Sequence, residues 1–412
     1  MREMKDSGVE WIGEIPTTWE LSKIGSIYDE RNEKVSDKDY EPLSVTKQGI
    51  VPQLETAAKT DNGDNRKLIK KNDFVINSRS DRRGSCGISE YDGSCSLINT
   101  VLRPRRNMCN KYYGFVFKSE NFADEYYRWG HGIVNDLWST KWSDMKNIYI
   151  PMPSIEEQKK MAEYLDSKCS KIDAIIEKQQ TIIEKLKEYK LSLITETVTK
   201  GLNNDVEMKD SGNEWIGKVP NEWNVLKFGR CVTIKSNLVP PGKYMDFPQV
   251  APDEIEKGSG KLVGYKSVEE SGVISWNHLF YKGQIIYSKI RPLLDKVIIA
   301  PFDGLCSADM YPMETDNNSK FIVYMILSDY FHSQVALCTE NRVKMPKINQ
   351  NELSNIVVVL PSIDEQNSIV SFLDAKCDAI DKTIMDRERA IEKLQEYKKS
   401  LIYEVVTGKK EV

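Results

Sequence analysis

PSIEEQ at Pro153–Gln158, LDSKCSKID at Leu165–Asp173 and IEKLKEYKLSLITETVT at Ile183–Thr199 are followed, in the same order, by PSIDEQ at Pro361–Gln366, LDAKCDAID at Leu373–Asp381 and IEKLQEYKKSLIYEVVT at Ile391–Thr407. Each block opens on Ser-x-x-Glu behind a proline: Ser154 and Glu157, then Ser362 and Glu365. That is a capping box, in which the serine oxygen satisfies a free helix N–H and the carboxylate reaches back. Behind the cap, Leu165, Cys169, Ile172, Ile176, Ile183, Leu186 and Leu193 follow steps of three and four residues. Leu373, Cys377, Ile380, Ile384, Ile391, Leu394 and Leu401 repeat them. The spacing predicts two long helices, each with an apolar coiled-coil seam. Gln179 and Lys190, with Arg387 and Lys398 in the second block, interrupt the seam, as register-fixing polar positions do.

About 45 residues at 1.5 Å each make a rod of roughly 65 Å, longer than a small domain is wide. Two such seams in one chain are buried most economically by each other, and the linker Gly201–Glu207 with the intervening residues allows an antiparallel return. Cys169 and Cys377 then sit in a core rather than serving as reactive thiols.

The duplication extends beyond the helices. MKDSGVEWIGEIPTTWEL at Met4–Leu21 returns as MKDSGNEWIGKVPNEWNV at Met208–Val225. The two blocks are offset by slightly different amounts, so the bodies between them differ in length. Those bodies have diverged, yet Asp92–Ser96 still matches Asp303–Ser307, and DFVINS from Asp73 resembles QIIYS from Gln284. Short β-rich runs (Phe74–Ile76, Ile285–Tyr287, Val297–Ala300) are broken by turn residues, and Phe321–Leu327 reads as helix. The fold class is therefore α+β: two globular bodies in pseudo-two-fold repeat, separated by two long antiparallel coiled-coil helices. The boundaries fall at 1–153, 154–200, 201–361 and 362–412. The tryptophans of the openings (Trp11, Trp19, Trp215, Trp223) suit anchors between each body and the helix ends.

In this order the residues carry a family resemblance across essentially the whole chain. WIGxxPxxW, PSIxEQ and KLxEYKxSLI, each present twice, resemble the specificity subunit of type I restriction–modification systems. Asn72–Pro104 and Gly283–Tyr311 are similar to that family's target-recognition domains. The resemblance implies a non-catalytic subunit in which each body reads one half of a split double-stranded DNA target. The helix pair would set the gap between the halves. It further implies two methyltransferase subunits, which would bind S-adenosylmethionine, and two restriction/translocase subunits, with no cofactor or metal held by this chain.

The rest of the sequence is compatible with that reading. There is no Asn/Asp-Pro-Pro-Tyr motif, no glycine-rich loop suited to S-adenosylmethionine and no GxxxxGK[ST] phosphate loop. Asp253–Lys257 reads as a solvated acidic loop, and His131, His278 and His332 are isolated. The eight cysteines contain no CxxC pair, which fits reduced thiols in a cytoplasmic protein without a membrane segment. The net charge of −4 disfavours a stand-alone tight DNA binder and allows one helped by partner subunits. A single-chain methyltransferase or nuclease, and a coiled-coil adaptor with no DNA role, are the alternatives.

Base reading needs rigidly presented donors and acceptors, and phosphate contacts need cations and small polar groups. In the first body the candidates are Asn77, Ser78, Arg79, Ser80, Arg82 and Arg83 at a strand exit, then Ser139, Thr140 and Lys141 before the helix. In the second they are Ser288, Lys289 and Arg291 at the equivalent exit, then Arg342, Lys344 and Lys347. Arg66, Lys67, Lys70 and Lys71 read as steering charges or plain surface.

Overall fold

The computed structural model describes residues 2–54, 63–79, 82–105, 107–132, 138–203, 205–342 and 344–412. They form two compact units, one of Met1–Gln179 with Glu388–Val412 and one of Gln180–Arg387. The division cuts both long helices, Ile155–Lys200 and Ile363–Val406. Each unit thus contains one opening, one body, the start of that copy's helix and the end of the other copy's helix.

In the first unit the opening is a hairpin of Met4–Asp6 and Glu14–Pro16, with Met4 opposite Pro16. Glu20–Lys23 then pairs antiparallel with Tyr149–Met152, the strand that leads into the helix, so the body is pinched shut where it leaves and returns. The body holds a four-stranded sheet in the order Cys86–Ile88, Phe74–Asn77, Asn99–Pro104, Tyr28–Glu30, and a three-stranded sheet of Gly93–Cys95, Arg66–Ile69 and Lys34–Val35. Helices Asn110–Lys118 and Glu120–Arg128 cover an aromatic core in which Tyr28, Phe74, Phe117 and Phe122 are fully buried. Met161, Ala162 and Leu165 of the first long helix and Leu401, Val405 and Val406 of the second complete that core.

The second unit repeats the frame. Its hairpin pairs Met208 with Pro220, and Asn224–Lys227 pairs antiparallel with Val357–Leu360. Its sheets run Thr233–Ile234, Met310–Glu314, Ile285–Ser288, Val297–Ile299 and Leu238–Val239, Asn277–Phe280, Gly304–Cys306, Pro248–Val250, Lys266–Ser267. Helix Ser319–Ile326 covers the predicted tract up to Leu327, which is its C-cap, and is mostly buried, and Asp329–Thr339 behind it buries one face. The core takes Ile194 and Val198 from the first long helix and Ile369, Leu373 and Cys377 from the second.

Within each unit the helices run antiparallel. Arg2 reaches Glu157 at 2.9 Å and Glu411 at 3.7 Å, while Lys398 holds Asp173 at 2.6 Å. In the other unit Lys190 holds Asp381 at 2.7 Å, and Gly201 lies against Glu365. Lys190–Asp381 and Lys398–Asp173 are one contact made twice, by the polar residues that break the seam. Most of the seam is buried, while Ile176, Leu186, Leu193, Ile391 and Leu394 are partly exposed. Cys169 and Cys377 are buried, and burial raises both thiol pKa values.

The capping box at Ser154 closes in both directions: Glu157 N–H donates to Ser154 Oγ (3.3 Å) and Ser154 N–H to the Glu157 carboxylate (3.2 Å). Glu157 also accepts from Trp19 Nε1 at 3.2 Å, and Glu365 accepts from Trp223 Nε1 at 2.9 Å. Burial alone would raise the Glu157 pKa, but the hydrogen bonds from Trp19 and Ser154, with Arg2 nearby, hold it below the usual value. Trp19 and Trp223 therefore tie each opening to its helix start. Trp11 is buried edge-on against Phe122, whereas Trp215, at the same place in the second copy, is 42% exposed and does not serve as a core anchor.

Candidate nucleic-acid interface

In the first unit the strand Phe74–Asn77 sits between two neighbours and ends where its hydrogen bonds turn local. Asn77 Oδ1 accepts from Arg79 N–H at 3.0 Å, and the Ser78 hydroxyl donates to the Ile98 carbonyl. The segment before the helix then joins this exit: Arg79 forms an isolated antiparallel bridge with Ser139, and Thr140 N–H donates to Ser78 O at 2.9 Å. The two candidate stretches, far apart in sequence, thus form one junction. Arg79, Arg82, Arg83 and Lys141 are exposed there, and Arg83 pairs with Asp124. Ser80 lies outside the described residues.

The second unit builds the same junction. Ile290 bridges Lys347, Arg291 N–H donates to Pro346 O at 2.8 Å, and Ile348 N–H to Lys289 O at 2.9 Å. Three non-glycine residues here have left-handed backbones: Arg291 (φ 44°), Asp295 (φ 46°) and Met345 (φ 49°). Such conformations are strained for residues with a β-carbon and persist only where the surroundings hold them. Arg291 and Asp295 flank the turn Pro292–Leu294, and His332 Nδ1 meets Asp295 Oδ2 at 2.7 Å from the helix Asp329–Thr339. The hydrogen bond to Asp295 raises the His332 pKa against the opposing effect of burial.

The candidate side chains divide by environment. Thr140 is 2% exposed; its hydroxyl donates to Tyr126 O at 2.7 Å and its carbonyl accepts from Tyr126 Oη. Ser288 is 1% exposed and donates to Ile290 O at 3.0 Å. These two side chains hold the junction together from inside and are closed to a DNA groove. Arg342 is engaged by Glu352 and the Lys347 carbonyl, so its guanidinium is already committed. Lys289 and Lys347 share Asp309, at 3.9 and 2.9 Å, and Lys289 also lies over the Tyr311 ring. Arg291 and Lys344 are exposed and, among the described residues, have no ion-pair partner.

Among the steering charges of the first body, Arg66 is corrected, while Lys70 and Lys71 lie at the surface. Arg66 is 6% exposed, donating through Nε to Ser94 Oγ (2.8 Å) and through a terminal nitrogen to Ser94 O (3.2 Å). An arginine facing inward from a strand needs such acceptors, and Ser94 on the paired strand supplies them. Lys67 is held by Glu30 and Lys70 by Asp92. Asp92 also caps the turn by accepting from Lys71 N–H at 2.7 Å, as Asp303 does from Lys282 N–H at 2.7 Å. The matching Asp-Gly pairs were therefore turn clamps, a role their position before a strand already signalled. Among the described residues no group of three His, Cys, Asp or Glu side chains is placed to hold a metal ion, and no single helix is long and apolar enough to cross a membrane. Burial raises the thiol pKa of both Cys86 and Cys95 to about 12.

A frame made twice, each time presenting a polar junction on a different body, defines a two-headed recognition protein. The sequence model of the type I restriction modification DNA specificity domain matches it twice, over 16–188 and 223–393, and the chain belongs to that family. It is 36% identical over 259 residues to the type I restriction enzyme EcoDI specificity subunit of Escherichia coli, a match spanning 58% of each chain. It is 24% identical to the type I restriction enzyme MjaVIII specificity subunit of Methanocaldococcus jannaschii, over 96% of this chain and 93% of that one. Two solved structures share the fold. One, from work on complex assembly and conformational transition of the type I R-M system, has a TM-score of 0.72 at 12% identity and covers 95% of this chain and 98% of that one. The HsdS subunit from Thermoanaerobacter tengcongensis has a TM-score of 0.53 at 14% identity, covering 96% and 98%.

Proposed function

We propose that this chain supplies the DNA sequence specificity of a type I restriction–modification complex in the cytoplasm and performs no catalysis itself. Each body reads one half of a split target through its junction: Arg79, Arg82, Arg83 and Lys141 on the first, Arg291, Lys344, Lys289 and Lys347 on the second. Two methyltransferase subunits, holding S-adenosylmethionine, modify an adenine in each half, and two restriction/translocase subunits complete the enzyme. The observation that carries this reading is the junction itself, built by the same backbone bridges in both bodies but furnished with different side chains. A net charge of −4 fits a reader whose grip on DNA is shared with partners. Co-expression with the neighbouring methyltransferase and genome-wide mapping of modified adenines tests it. Two unlike half-sites separated by unspecified bases are the expected result; a continuous or perfectly palindromic motif would overturn it.

A further inference from the structure

The second body carries an apolar tip, held at both ends, for which its core has no use. Ser267 caps the short helix Val268–Ser271, accepting from Glu270 N–H at 3.1 Å while the Glu270 carboxylate accepts from Ser267 N–H at 3.0 Å. Val268 is buried, and Gly272 turns the chain with φ 62° in open space. Val273 then packs on the cluster of Val268, Leu279 and Leu305, and Asn277, 2% exposed, enters the strand Asn277–Phe280. Between these two anchors Ile274 is 93% exposed and Trp276 58%.

Topology places this tip beside the junction. His278 lies opposite Cys306 in the sheet, and the chain runs from Cys306 through Ser307–Asp309 to Met310, which lies opposite Ser288. Asp309 is the residue that receives Lys289 and Lys347. After burial, the charge of Lys289 is the next cause keeping the His278 pKa below its usual value, so the two are close. The exposed apolar side chains therefore leave the body at the same end as Arg291 and Lys344, cations without an ion-pair partner among the described residues. A cationic rim around a rigid apolar point is complementary to a polyanion with stacked aromatic bases inside.

We propose that Ile274 and Trp276 form a wedge that enters a base step of the second half-site, unstacking and bending the DNA there. The inference rests on the DNA-reading function proposed above and adds a mode of reading, because a step that opens easily is favoured even where no side chain hydrogen-bonds it. In sequence, residues 55–65, which precede the matching strand Arg66–Ile69, contain no large apolar side chain, so the Ile274–Trp276 tip has no counterpart at that place in the first copy.

The test uses the full chain assembled with its methyltransferase subunit, on duplexes of the mapped target with 2-aminopurine placed in turn through both half-sites. Away from the adenine that the methyltransferase flips out of each half-site, wild type should brighten the probe at one step of the second half-site. Ile274→Ser with Trp276→Ser, both at surface positions, should abolish the signal and weaken specific binding 10- to 100-fold. The slope of affinity against salt should not change, since an apolar contact releases no counterions. Unchanged fluorescence and affinity in the double variant overturn the wedge, and so does loss of the methyltransferase subunit from the complex, which would make the tip a protein-docking surface. Arg291→Ala on the same duplexes separates the two proposals. If it weakens or relaxes the second half-site while the serine variants do nothing, the reading stands and the wedge falls. If neither has an effect, the DNA role of this end falls with it.

Discussion

Arg291 and Lys344 lie on one junction, yet they should fail differently when removed. The backbone of Arg291 is fixed by its bond to Pro346 and by the strained turn behind it, so the point from which its guanidinium reaches a base edge is set. Arg291→Ala should cost about 1–3 kcal/mol and relax one position of the second half-site, leaving the first untouched. Lys344→Ala should instead weaken binding to all sequences alike and flatten the salt dependence by about one counterion. Competition binding over single-base variants at two salt concentrations distinguishes them; equal behaviour would remove the distinction. His332 adds a pH dependence of known sign. Its folded-state pKa is raised, chiefly by Asp295, with Asp329 also raising it and Lys257 and burial opposing. Its stabilising contribution is therefore complete below the unfolded value, about 6.5, and is lost as pH rises through the folded one. His332→Ala should narrow its stability gap to wild type as pH climbs from about 6 to 8, by under about 1 kcal/mol because the ring is partly solvated. A gap independent of pH would leave only packing. The sequence showed that these residue types stood at a strand exit, but not which were occupied. Thr140, Ser288 and Arg66 look like DNA ligands in one dimension and are buried braces in three: Tyr126 and Ser94, on another helix and another strand, satisfy Thr140 and Arg66, and Ser288 is satisfied by the turn to Ile290, closed under the body.

At the scale of the elements, the long helices were the most legible part of the chain. Their period, their caps and their polar interruptions all point the same way, and local rules suffice to read them. What the spacing could not give is the partner of each interruption, because Asp173 and Asp381 lie off the seam. The repeated contact now allows a comparison within one molecule. Lys398–Asp173 is a partly solvated pair, and Lys398→Glu should cost about 0.2–1 kcal/mol, with Asp173→Lys in the same chain restoring most of it. In the other unit Asp381 also receives Lys261 at 2.7 Å, from the loop of the body. The same swap there, Lys190→Glu with Asp381→Lys, sets the introduced lysine against Lys261 and should not restore stability. Thermal unfolding of the two swaps reads the difference; rescue in both would mean that Lys261 contributes nothing to the helix contact. The bodies were less legible than the helices. Their strands were visible as β-rich runs, whereas the order of those strands depends on pairings between residues dozens of positions apart, which no local pattern encodes.

For the whole molecule, the exchange of helix ends is the decisive feature. The first copy's opening is closed by Leu401, Val405 and Val406 of the second helix, and the second copy's opening by Ile194 and Val198 of the first. Gly408 (φ 75°) lies against Trp19 and Gly201 (φ 77°) against Trp223, each at a spot where a β-carbon would crowd the ring. A fragment ending just past Gly201 therefore has a body with no tail to close it and a tail with no opening to close. Two copies can satisfy each other, with Ile194, Val198 and Gly201 of one replacing the missing second-helix end in its mate, giving a two-fold dimer. The substitution is imperfect: Thr197 takes the place of buried Val405, and Thr195 that of Tyr403, whose hydroxyl donates to Ile12 O at 3.0 Å. The fragment should dimerise more weakly than the native halves hold together. Thr195→Tyr with Thr197→Val should tighten it by about 1–3 kcal/mol, from regained apolar burial and one hydrogen bond. Analytical ultracentrifugation gives the dissociation constants. With the methyltransferase subunit, either dimer should modify a palindrome built from the first half-site and its inverted copy. A strictly monomeric fragment would mean that the helix ends are not interchangeable. A dimer that still modifies the original asymmetric site would mean that one body reads the whole target, and the second junction would then have no sequence to read.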